Sequence, residues 1–103
     1  MRERHVLAST IQSRSAFQLV ADHVQQSDLS EQGWIIWQGI THYYDSDTTC
    51  SRIDPELLGA QVARTIPVEK HKDTFVRLCH ELGEFEVSPA NVVEDLIATK
   101  REV

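Results

Sequence analysis

The densest group of reactive side chains in this sequence is His42-Tyr43-Tyr44-Asp45-Ser46-Asp47. An imidazole with two carboxylates two residues apart is a start toward a divalent-cation site, as in calcium loops. The rest of such a loop is missing: there is no glycine at its sixth position, and Glu56 falls at the wrong register for the closing bidentate ligand. A helix C-terminus running into a turn accounts for the same letters, and no metal is assigned. Cys79-His80, with His71 upstream, raises zinc or thiolate chemistry. Tetrahedral zinc needs four ligands in short paired spacings. Cys79 instead sits on an apolar stripe between Phe75 and Leu82, where a free cysteine acts as a small hydrophobe.

Glycine-rich phosphate-binding loops are excluded by the glycines. Gly33, Gly39, Gly59 and Gly83 form no Walker A and no GxGxxG, and neither GxSxG nor HExxH occurs. The chain therefore reads as non-enzymatic, with no catalytic residue, no metal and no cofactor.

A nucleic-acid reading has two footholds. Val76–Leu82, Gly83 and then Ser88-Pro89-Ala90 resemble the helix, turn and capped second helix of a helix-turn-helix. Trp34, Trp37, Tyr43 and Tyr44 could stack bases. Against this, Glu84-Phe85-Glu86 stretches the turn, and Glu94 and Asp95 would point acid at phosphate. No Lys or Arg lies between Arg14 and Arg52, so the aromatic run has no basic setting. A small DNA-binding regulator remains the alternative function.

Composition narrows the class. At 103 residues and 11.7 kDa the chain is one domain, with 41% hydrophobic and 25% charged residues. Disordered, collagenous and membrane-spanning classes do not fit these values. A net charge of −6 and a pI near 5.2 favour basic partners over bare DNA. Two cysteines, Cys50 and Cys79, are too few for a disulfide scaffold. With no signal-like segment and no long apolar run, a cytoplasmic location without a membrane is expected.

The elements that would carry these residues are helices. Asp54-Pro55-Glu56 and Ser88-Pro89-Ala90 each give a cap followed by proline at the first helical position. Asp28 with Glu31 reads as a capping box, with Ser30 as a rival cap, and Gly83 reads as a helix stop. Apolar stripes recur at helical spacing: Phe17-Val20-Ala21-Val24, Leu58-Val62-Ile66, Phe75-Leu78-Cys79-Leu82 and Val92-Val93-Leu96-Ile97. The stretch from Trp34 to Tyr44 is apolar on more than one face and so reads as the central helix. These signals predict an all-α fold of six helices near 3–12, 15–26, 29–44, 54–65, 68–82 and 89–100. Residues 1–66 would form a globular part, and 67–103 an antiparallel helical hairpin leading to a linker. The loop from Asp45 to Ile53 separates two sets of three helices.

The order of these features resembles a known family. His5–Ile11 resembles the opening helix of the N-terminal domain of DnaB-type replicative helicases. Ala16, Phe17, Val20 and Val24 then match its second helix, ahead of Asp28-Leu29. Trp34-Ile35-Ile36-Trp37-Gln38-Gly39-Ile40 is similar to its Ile-Phe-x-x-Ile central helix, and Ile53-Asp54-Pro55-Glu56-Leu57-Leu58 to its Val/Ile-Asp-x-x-x-Leu start. Leu29-Ser30 stands where an aromatic pair is usual, and the Gly-Gly-x-x-Tyr-Leu segment is replaced by residues 69–82, as in a divergent phage or plasmid branch.

The resemblance implies a non-catalytic collar that docks its own copies and a primase or helicase loader, a homo-oligomer touching DNA only through a parent helicase. It implies interface residues Phe75, Val76, Phe85, Val93 and Ile97. The polar, unstopped end from Ala98 to Val103 fits a chain that continues toward another domain.

Overall fold

The computed structural model describes residues 2–85 together with 93, 94, 96 and 97. Five α-helices occur among them: α1 (Arg2–Gln12), α2 (Arg14–Val20), α3 (Glu31–Ser46), α4 (Pro55–Arg64) and α5 (Glu69–Glu84). A 3-10 turn covers Gln26–Asp28, and the four later residues are helical. There is no strand among the described residues, so the fold is all-α.

Local chemistry sets each boundary. Ser13 begins α2 by accepting from the Ala16 N–H at 3.3 Å. Asp54 caps α4 through the Glu56 N–H at 3.0 Å, with Pro55 in the first turn as its fixed φ favours. Between the rival caps of α3, Ser30 is the one used: its Oγ accepts from the Gly33 N–H at 3.1 Å. Asp28 instead accepts from the Gln25 N–H at 2.9 Å and closes the 3-10 turn. α2 ends at Val20, short of the expected 26, and a turn over residues 21–23 separates it from the 3-10 turn. The backbone at Gln25 is extended, and Val24 reaches the core from outside a helix.

One core joins all five helices. Val6 and Ile11 of α1, Ile36 and Ile40 of α3, Leu58 of α4 and Cys79 of α5 are all 2% exposed or less. Leu96 belongs to the same cluster. Tyr44 crosses this core, and its Oη donates to the Thr10 carbonyl at 2.5 Å. The Gln12 amide also ties α1 to the end of α5, donating to the Leu82 carbonyl at 3.2 Å and the Phe85 carbonyl at 2.7 Å.

The tight helical pair is α4 with α5. Gly83 faces Pro55, while Gly59 lies against Val76 and Cys79, so the start of one helix meets the end of the other and the two run antiparallel. A Cβ on Gly59 would stand 3.3 Å from the Val76 Cα, which shows how closely the backbones approach. The expected hairpin pairs 69–82 with 88–100, and most of that second arm lies outside the described residues. Gly83 does not stop α5, which continues to Glu84. It has no positive φ, and its missing side chain makes room for the Pro55 ring.

Candidate interaction surface

His42 and Asp45 lie on the last turns of α3, and Asp47 is its C-cap. The Asp47 carboxylate turns away into its own loop, accepting from the Thr49 N–H at 3.0 Å and the Thr49 hydroxyl at 2.7 Å. Those two bonds hold its pKa below the usual aspartate value. His42 faces Ser46 at 3.5 Å. Among the described residues no group of three His, Cys, Asp or Glu side chains is placed to hold a metal ion.

The second reactive pair is also separated. Cys79 is fully buried, and burial pushes its thiol up to about 12, so at neutral pH it is a protonated hydrophobe. His80 lies on the solvent side, 3.3 Å from Glu84 one turn on.

The loop after α3 is organised by Arg14. Its guanidinium donates to the Cys50 carbonyl at 2.6 Å, to the Tyr44 carbonyl at 3.3 Å and to the Asp47 carbonyl. No basic residue occupies the last turn of α3 itself, so Arg14 supplies the cation favoured at that helix end.

The expected interface residues divide by exposure. Phe75 is 5% exposed and belongs to the core, and it also lines the groove with Ile66, Val68 and His71. Phe85 is half-buried, its ring 5.0 Å from His5 in an edge-on contact. Val76, Val93 and Ile97 are open to solvent at 40%, 41% and 45%. Leu57 and Val68 are equally exposed, at 54% and 42%, and were not among the expected residues. Leu57 was detectable: it stands off the Leu58-Val62-Ile66 stripe that faces the core.

A second apolar surface surrounds α3. Ile36, Trp37, Ile40 and Tyr44 face inward, while Trp34 and Ile35 are only half-buried. On one side the groove between α2 and α3 is walled by Phe17, Trp34 and Trp37, with Asp22 and Asp45 also lining it. Phe17 stacks 5.3 Å from Trp37, forming an aromatic wall. On the other side a groove runs past Ile35, Gln61, Ile66 and Pro67 toward the corner between α4 and α5. Gln38 and His42 line both grooves, which makes the two neighbours on one face.

Among the described residues no helix is long and apolar enough to cross a membrane. No family model, curated protein or solved structure matches the chain.

Proposed function

We propose that this chain is a non-catalytic protein-interaction and oligomerisation module of the kind found at the N-terminus of replicative DNA helicases. It would dock its own copies and a primase or loader, and it would meet DNA only through a parent helicase. The observation that carries this reading is the pair Val93 and Ile97. They are four residues apart in helical backbone, so they share one helix face, and both are more than 40% exposed. Leu96 beside them is buried at 4% and belongs to the core cluster. Exposed Val76 on α5 adds to the apolar surface of this half.

Sedimentation equilibrium of the wild-type chain beside a Val93→Asp, Ile97→Asp double variant tests the reading. The wild type should self-associate, and the variant should show a lower average mass at the same concentration with an unchanged helical circular dichroism spectrum. Equal masses for the two proteins would remove the support that this pair gives.

A further inference from the structure

The groove between α2 and α3 carries unpartnered polar groups of two kinds. Asp22 and Asp45 both line it and are exposed, and neither makes an ion pair or hydrogen bond among the described residues. No neighbouring cation offsets them. Residues 15–51 hold no Lys or Arg, and the Arg14 guanidinium is taken up by the carbonyls of Tyr44, Asp47 and Cys50. Trp37 supplies the second kind. It is only 5% exposed, yet its indole N–H has no acceptor among the described residues and is not sealed inside. A buried Trp ordinarily finds a partner for that N–H. Trp34 beside it is half-buried, its own N–H also unpaired among the described residues.

The run of the helices orders these groups. Arg14 lies over Tyr44 while Phe17 stacks 5.3 Å from Trp37, so α2 runs opposite to α3. Asp22 therefore falls toward the Trp34 end of the groove, and Asp45 marks the other end. From Trp34 to Asp45 the helix axis covers about 16 Å. Carboxylates at the ends, with rings and indole donors between, complement an extended segment that has a cation at each end. Its apolar side chains would meet the rings, and its open carbonyls the donors. In a polyproline-type strand the first and sixth residues stand about 16 Å apart. Aromatic-lined grooves recognise such strands because their conformation is set before binding. A docked helix, its carbonyls bonded internally, would leave both indoles unpaired.

We propose that this groove docks an extended, Arg- or Lys-flanked segment of a partner protein. Its cations meet Asp22 and Asp45, and its carbonyls accept from Trp34 and Trp37. The inference rests on the partner-docking part of the reading above and gives the chemistry of that partner. Val93 and Ile97, which carry the self-association, do not line this groove.

The chain's two tryptophans both line the groove, so intrinsic fluorescence of the full chain reports its occupancy. The probes are two acetylated, amidated hexapeptides, Arg-Pro-Leu-Leu-Pro-Arg and Glu-Pro-Leu-Leu-Pro-Glu. The first should shift the emission saturably, with a Kd at or below about 1 mM, and the second should not. Asp22→Asn with Asp45→Asn should weaken binding of the arginine peptide about fivefold or more, as two exposed charge pairs are lost. Asp73→Asn with Glu81→Gln removes the same charge from the exposed side of α5 and should leave binding within about twofold. Trp34→Phe keeps a ring without the donor and should cost about threefold. Circular dichroism confirms that each variant folds. No response to the arginine peptide, an equal response to both peptides, or an equal loss from the α5 pair overturns the proposal. Emission that shifts with protein concentration alone means that a second copy covers the groove, and overturns it as well. None of these results moves the sedimentation comparison at Val93 and Ile97, so the self-association reading is judged separately.

Discussion

The Arg14 guanidinium lies 4.7 Å over the ring of Tyr44 and also donates to the Tyr44 carbonyl at 3.3 Å. One residue of α2 thus binds both the side chain and the backbone of the last turn of α3. The Arg14 N–H adds a bond to the Ser51 carbonyl at 2.8 Å. The loop that follows α3 is therefore fixed from α2 as well as by its own Asp47–Thr49 bonds.

Arg14→Ala should lower stability by about 2–4 kcal/mol, given about 1.5–3 kcal/mol for hydrogen bonds to a charged group and about 0.5–1 kcal/mol for the ring contact. Arg14→Lys should recover less than half of that loss, because an ammonium cannot reproduce the planar fork that spans several carbonyls. Denaturant unfolding measures both. An alanine variant within about 0.5 kcal/mol of wild type, as is usual for a surface position, would contradict this role.

Gly83→Ala sets two effects against each other. Alanine in a helix interior gains about 1 kcal/mol over glycine. Here the new Cβ would run into the rigid Pro55 ring, and overpacking of that kind costs about 1–3 kcal/mol. The steric term wins, so thermal unfolding should show a net loss of stability and a lower Tm. A higher Tm would mean that α4 and α5 have room to separate.

Alkaline pH should weaken the fold. Burial raises the Cys79 thiol from 9.0 to about 12 and moves the Tyr44 hydroxyl upward from 10.0. A group whose pKa is higher folded than unfolded holds its proton better in the native state. Its contribution is complete below about pH 9 and disappears as pH rises through the folded value. Unfolding free energies should be level between neutrality and about pH 9 and then decline, and Cys79→Ala should make that decline shallower. A flat profile up to about pH 11 would place both groups in water in the native state.

Duplex DNA should not be retarded by the isolated chain in a gel at low salt. The net charge is −6, and five acids with no Lys or Arg lie between residues 15 and 51. A salt-sensitive shift would favour the regulator alternative instead.

Much of the fold is legible in the sequence because local rules act alone at several points. Asp54-Pro55-Glu56 caps α4 as its letters require, and the Leu58-Val62-Ile66 stripe faces the core. Two boundaries differ from the expectation, one beside a tertiary contact and one beside a local bond. Gly83 has the letter of a helix stop, yet α5 runs past it because Pro55, distant in sequence, needs the space. Val24 keeps a helical spacing from Val20, but the Asp28 carboxylate draws Gln25 into a separate turn.

The surface is less legible than the core. The stripe of Phe75, Leu78, Cys79 and Leu82 shows that α5 is amphipathic and places Phe75 on its apolar face and Val76 off it, yet the spacing does not tell whether another protein or the chain's own core covers that face. The structure buries Phe75 in the core and leaves Val76 open to solvent. For α3, apolar letters on several faces imply a central position, whereas Trp34 and Ile35 in fact line surface grooves.

The central claim is that the chain works by touching other protein surfaces, its own copies first. Sedimentation equilibrium over a wide concentration range at neutral pH and moderate salt tests it most directly. The apparent mass should climb above the 11.7 kDa of one chain as concentration increases. A mass that stays at 11.7 kDa throughout would contradict the account.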